Sequence, residues 1–170
     1  MTVQVRDAQG NALEADNATV QLDSGFDFGA GGAGVLQYAG GGAYTAVVSS
    51  TKRGTAEIIA TVDGMALAET VTVEFLPGEP TSLELTHPPA DTVAGVPLHP
   101  APRVRGFDSF GNAVASGHRL AAVLSAGAFT AESVTTVESD DQGRFRFDNL
   151  VIESAAEDYT ISFERLPQER

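Results

Sequence analysis

The chain has no cysteine and no tryptophan among its 170 residues, and only one lysine, Lys52. Without cysteine there is no disulfide framework, no thiolate metal site and no cysteine nucleophile. The single lysine lies outside any P-loop spacing, so the glycine runs are not read as a phosphate cradle. It also excludes a lysine–asparagine crosslink in each of two domains. No run approaches the roughly eighteen apolar residues of a membrane span. Positive charge is scarce: 10 Lys and Arg stand against 23 Asp and Glu, for a net charge of −13. A nucleic-acid partner needs a clustered basic face, so it is not expected. Met1 is followed at once by the strand-like Thr2-Val3-Gln4-Val5-Arg6, without the apolar core of a secretion signal. The chain is therefore read as cytoplasmic, or as the mature part or an excised part of an exported protein, and the excised part is the preferred expectation.

What is present is a long-range repeat. Asp7-Ala8-Gln9-Gly10-Asn11-Ala12-Leu13 returns 101 residues later as Asp108-Ser109-Phe110-Gly111-Asn112-Ala113-Val114. A period this long means one domain per repeat rather than one solenoid unit. Around both copies the chain alternates apolar and polar residues with β-branched content, the pattern of half-buried strands. Such runs include Thr2–Arg6, Thr19–Asp23, Thr55–Val62, Thr70–Phe75, Ser82–Leu85, Arg103–Phe107, Leu120–Leu124, Gly143–Phe147 and Tyr159–Phe163. Turn signals separate them, and Asp63-Gly64 between two alternating runs predicts a hairpin. Leu76-Pro77-Gly78-Glu79-Pro80 reads as a short, semi-rigid joint. The expected domains are 1–78 and 79–170.

An alternating strand followed by Asp-x-x-Gly-Asn-Ala-Leu, then Gly42-Ala43-Tyr44-Thr45 and Gly54 to Gly64, resembles bacterial immunoglobulin-like domains of the invasin and intimin type. The second copy, in Ala94-Gly95, Asp108 to Val114, Phe147 to Ile152 and Tyr159-Thr160-Ile161, is similar but more divergent. The resemblance implies an all-β chain of two tandem immunoglobulin-like β-sandwiches outside the cell of a bacterium. It implies a non-catalytic stalk or adhesive module with protein partners or neighbouring domains of the same array. Laid on the second copy, the first lacks a counterpart of Thr81 to Ala101. Laid on the first, the second lacks a counterpart of Ala68 to Phe75. Each domain is thus expected to lack one edge strand, and an open edge invites β-strand addition by another segment. Two alternatives stay open: an accessory extracytoplasmic subunit that stabilises an assembly through those edges, and a glycan- or calcium-binding module beside a secreted enzyme.

Candidate site residues follow from pattern. Arg103 and Arg105 share one strand face, as do Arg144 and Arg146, and the two strands are expected to be neighbours. Four guanidinium groups there form a candidate docking patch for an acidic partner. Phe26 and Phe28 flank a glycine-rich loop and are candidates for an exposed ligand contact, whereas Tyr44 is expected in the core. The acidic clusters are Glu14 with Asp16, Asp23 with Asp27, Glu138 with Asp140 and Asp141, and Glu157 with Asp158. Asp140 and Asp141 are the weak calcium candidates, although Ser139 to Gly143 is most simply a hairpin turn and no EF-hand spacing is present. No cofactor is otherwise expected. Asp7 and Asp108 are read as turn residues that bond their own backbone. His87, His99 and His118 have no metal-ligand spacing and read as surface or turn residues. No serine stands in a nucleophile-elbow pattern, so no catalytic residue is assigned.

Overall fold

The computed structural model describes residues 1–13, 18–155 and 159–167. The Glu14–Asp16 and Glu157–Asp158 clusters lie outside these residues. The chain divides into two compact units, Met1–Leu76 and Pro77–Arg170. Both are built from strands, and no helix occurs among the described residues.

The first unit contains β1 (Thr2–Gln4), β2 (Val20–Asp23), β3 (Gln37–Gly40), β4 (Ala43–Thr45), β5 (Gly54–Val62) and β6 (Met65–Phe75). They form two antiparallel sheets, β1-β4-β3 and β2-β5-β6. The period-two alternation read from the sequence fixes which face turns inward. Ala56, Ile58 and Ala60 are buried, while Thr55, Glu57 and Ile59, which alternate with them, are exposed. Val3, Val5, Tyr44 and Ala60 make the centre of the core, with Leu22, Tyr38 and Val62 against it. Val62 pairs with Met65 across Asp63-Gly64, and both turn residues have positive φ, 49° and 80°. This is the two-residue hairpin that the Asp-Gly pair predicts, because its twist matches the strands it joins.

The second unit contains β7 (Ser82–His87), β8 (Arg103–Phe107), β9 (Arg119–Leu124), β10 (Thr136–Glu138), β11 (Arg144–Arg146) and β12 (Ile161–Leu166). Its sheets are β11-β8-β7 and β10-β9-β12. Val104, Leu120, Phe145, Phe147 and Leu150 are at most 2% exposed. Burying a side chain of this kind is worth about 1.5–3 kcal/mol each. Phe163 lies against Phe147 at 5.1 Å between ring centroids.

Hydrogen bonds confirm the repeat at a constant spacing of 101. Val5 N–H donates to Gly42 O as Gly106 N–H donates to Gly143 O, and Leu13 N–H to Val5 O as Val114 N–H to Gly106 O. Ala46 N–H donates to Met1 O as Phe147 N–H donates to Pro102 O. The units differ at their edges. β7 covers the outer side of β8, whereas among the described residues the equivalent side of β1 has no strand. β6 covers β5, whereas among the described residues β12 pairs only with β9. One further difference was not foreseen: β3 pairs with β4, but its counterpart β10 pairs with β9 in the other sheet.

Gly143 marks where backbone crowding demands glycine. Its φ is +69°, and a Cβ there would lie 2.8 Å from Gly106 O and 3.0 Å from Val114 N. Its counterpart Gly42 would place a Cβ 2.6 Å from Val5 O. Gly143→Ala should therefore destabilise the second unit by about 1–3 kcal/mol, the range for backbone strain of this kind. Chemical denaturation of the variant measures it. Gly111→Ala, at a positive φ but with nothing within 4 Å of its Cβ, should cost less.

Candidate functional site

Three loops share one hydrogen-bond pattern. In the first, Gln9 and Asn11 N–H donate to Oδ1 of Asp7 at 2.9 and 2.8 Å, and Asn11 Nδ2 donates to Oδ2 at 3.0 Å. In the second, Phe110 and Asn112 N–H donate to Oδ1 of Asp108, each at 2.9 Å, and Asn112 Nδ2 donates to Oδ2. The third is Asp140 to Arg144. There Gln142 and Arg144 N–H donate to Oδ1 of Asp140, and Arg144 Nε donates to Oδ2 at 3.0 Å. Each loop ends its turn on a glycine of positive φ, Gly10, Gly111 or Gly143. A short carboxylate that satisfies its own loop's amides is the Asx-turn device. The turn reading of Asp7 and Asp108 is the structure's arrangement. The third loop was read from the sequence as a hairpin turn, and Arg144 stands where the other two loops have asparagine.

Asp108 does one thing that Asp7 does not. It is 4% exposed, and its Oδ2 also accepts the backbone N–H of Gly78 at 3.0 Å. The lead-in segment of the second unit is held further by Thr81 N–H on Phe107 O and by Arg165, which donates to Pro80 O and pairs with Glu79 at 3.1 Å. Burial pushes the Asp108 pKa up, but the hydrogen bonds from Asn112, Gly78 and Phe110 outweigh it and hold the carboxyl below its ordinary 3.8. The Asn11 side chain and the loop amides lower Asp7. For Asp140, the donors of Arg144 and Gln142 and the Arg144 charge overcome burial and lower the pKa.

The four arginines converge as predicted. β8 and β11 pair with Arg105 opposite Arg144 and Arg103 opposite Arg146. Arg144 is paired with Asp140. Arg105 donates to Gln142 O, lies 5.2 Å over the Phe107 ring and faces Glu84 of β7. Arg103 and Arg146 are exposed, and among the described residues neither makes an ion pair. Like charges directly opposite one another repel, and Arg103 and Arg146 are such a pair on an acidic chain.

Phe26 and Phe28 are placed differently from the exposed pair expected. Both are half-buried around Phe75, with centroid separations of 5.2 Å between themselves and 5.8 and 5.9 Å to Phe75. The Gly-rich loop folds them back onto the end of β6, and only part of each ring faces solvent. His118 also departs from the surface reading: it is 8% exposed, beside Ser139, whose Oγ accepts the His118 N–H. His87 and His99 are exposed. Asp140, the first calcium candidate, has both carboxylate oxygens committed to its turn. Among the described residues no group of three or more His, Asp or Glu converges as a metal ligand set, and no helix is long and apolar enough to cross a membrane.

Two stacked antiparallel sheets, β1 paired to β4 and β2 to β5, repeated once at a fixed period, define a tandem immunoglobulin-like β fold. Residues 1–78 match the family model described as invasin, domain 3. No curated protein matches. Among solved structures the chain is similar to FdeC, an Escherichia coli adhesin, with 18% identity and a TM-score of 0.57 over 96% of this chain and 53% of that one. It is similar to invasin, a bacterial integrin-binding protein, with 21% identity and a TM-score of 0.57 over 96% and 32%. It is also similar to Yersinia pseudotuberculosis InvD, with 22% identity and a TM-score of 0.51 over 92% and 50%. These likenesses show the fold, and the chain spans about half or less of each of those structures.

Replacing Asp108 by Asn swaps an acceptor for a donor opposite Gly78 and Asn112. Asp108→Asn should cost about 1–3 kcal/mol at neutral pH, the cost of leaving buried partners unsatisfied. Because the folded carboxyl titrates below 3.8, its contribution is complete above that value and fades as pH falls through the folded pKa. The stability gap between the parent chain and Asp108→Asn should therefore narrow from pH 7 to pH 3. Denaturant midpoints at both pH values check this, and a gap that widens on acidification contradicts it.

Proposed function

We propose that this chain is a non-catalytic immunoglobulin-like segment of a bacterial surface protein, acting outside the cytoplasm as a stalk and protein-docking scaffold. The observation that carries the reading is the repeat itself, whose first copy matches invasin domain 3 and whose polar residues are spent on turns. The repeated carboxylates, the most conspicuous candidates for chemistry, each cap their own loop. The reading needs no metal, and a chelator should leave the melting curve unchanged.

The surface that best suits a partner is the Arg103–Arg146 pair at the centre of the β8–β11 face, and the partner chemistry it fits is acidic. The Phe26–Phe28–Phe75 cluster is a secondary contact candidate because part of each ring stays at the surface. An antibody raised against the chain should label intact cells of the source bacterium. Labelling only after permeabilisation, or a parent reading frame that joins these units to a catalytic domain, overturns the proposal.

The arginine surface has its own test. Arg103→Ser with Arg146→Ser should leave thermal stability unchanged or slightly raised, because a like-charge pair is removed. The same variant should elute from a heparin column at lower salt than the parent chain. Unchanged elution assigns the two arginines to solvent alone.

A further inference from the structure

The repeat separates the charges that the fold needs from those it does not. Arg103 opposite Arg146 and Arg105 opposite Arg144 occupy the same cross-strand positions as Thr2 opposite Thr45 and Gln4 opposite Ala43. The inward residues beside them stay apolar in both copies, Val104 and Phe145 in one, Val3 and Tyr44 in the other. The same frame therefore forms with neutral residues outside, and four arginines are not required to build it. β8 and β11 contain no acidic residue. Glu84 faces Arg105 and Asp140 pairs with Arg144, whereas Arg103 and Arg146 make no ion pair among the described residues.

The first unit carries the opposite sign on its other sheet. β2, β5 and β6 contain no lysine or arginine. Asp23, Glu57 and Glu74 are exposed, on the side of the sheet away from Leu22 and Ile58. Asp23 stands opposite Ile59, Glu57 opposite Thr72 and Glu74 opposite Thr55. The three carboxylates thus run diagonally across the three strands, each about 7–8 Å from the next. Among the described residues none of them makes an ion pair. The corresponding sheet of the second unit carries both signs, with Arg119 opposite Glu138.

We propose that these two faces meet between copies of this chain: the Arg103–Arg146 row of one molecule docks on the Asp23–Glu57–Glu74 line of another. Each is the outward face of a sheet, and they present long side chains of opposite sign. Guanidinium and carboxylate groups form charge-assisted pairs that can be bidentate. The net charge of −13 repels copies at long range. At about 0.1 M salt the screening length is about 10 Å, so distant repulsion is damped and the pairs in contact decide. The two faces are different surfaces, so the contact is heterologous and extends from copy to copy. Electrostatic complementarity sets specificity more than affinity, so the association is weak and concentration-dependent. The inference rests on the arginine docking surface proposed above and names its acidic partner. If the double Arg-to-Ser variant leaves heparin elution unchanged, the docking surface itself fails. If elution shifts but copies stay apart, only this inference fails.

The test is sedimentation equilibrium of the full chain over a concentration series. The average mass should rise above the monomer at about 0.1 M salt and return to it at about 1 M. Arg103→Glu with Arg146→Glu should leave a monomer, and so should Glu57→Arg with Glu74→Arg. An equal mixture of the two variants should associate, because one keeps the acidic face, the other keeps the basic face, and the reversed faces also match. A parent chain that stays monomeric up to about 1 mM, association that survives either reversal, or a mixture that stays monomeric overturns the proposal. If a variant does not fold, the unaltered chain decides. Its amide resonances on β5, β6, β8 and β11 should shift with concentration, and resonances that stay fixed overturn the proposal.

Discussion

The hydrogen bond from Gly78 N–H to Asp108 Oδ2 ties the lead-in segment to the loop on which the second unit's first sheet is hung. A sandwich must satisfy the backbone groups along its edge strands or leave them to water and to other chains. Asp108 is where that requirement is met, because its carboxylate closes the β8 turn and receives the incoming chain in the same place. From there β7 is laid against β8, and the arginine ladder forms on the far side of that strand. The same loop in the first unit has the carboxylate, the asparagine and the glycine. Asp108 is buried and Asp7 exposed, although both carboxylates close the same turn.

The charge of the chain acquires a location from this geometry. An acidic net balance would spread repulsion over the whole surface, yet the β8–β11 face collects four of the ten cationic residues. Two of them are relieved locally, Arg144 by Asp140 and Arg105 by Phe107 and the Gln142 carbonyl. Exposed ion pairs of this sort contribute little to stability, so the pattern is poorly explained as a folding device. Arg103 stands opposite Arg146, and among the described residues neither makes an ion pair.

Most of the strand pattern was legible because period-two alternation is enforced by burial. Ala56, Ile58 and Ala60 could only face inward if Thr55 and Glu57 faced out, and the Asp63-Gly64 turn needs two positive φ values that this pair supplies. Other features had no one-dimensional signal. β3 and β10 are three or four residues long, too short to alternate visibly, and which sheet each joins is a tertiary choice. Phe26 and Phe28 sit beside glycines, so the sequence places them on a loop, but only the fold brings Phe75 to meet them. His118 is buried, and its backbone N–H donates to a serine that lies 21 residues away in the chain.

The β10–β11 connection shows how one turn can be made in two physical ways. In the second unit Asp140 caps the amides of Gln142 and Arg144, so the side chain supplies the acceptors and only Gly143 needs positive φ. In the first unit the corresponding stretch is Gly40-Gly41-Gly42, and all three residues have positive φ, with no carboxylate in the turn. Glycine reaches that conformation without steric cost but loses more entropy on folding than any other residue. Only the last glycine is required by crowding, since Gly42 and Gly143 both meet backbone atoms while Gly40 and Gly41 face open space. The turn of the first unit therefore relies on conformational freedom where that of the second relies on capping. That difference coincides with the change of β-pairing, since β3 continues to Gly40 against β4 whereas β10 ends at Glu138 on β9. The two copies share a hydrogen-bond frame around β1 and β8 and diverge where the frame permits two solutions.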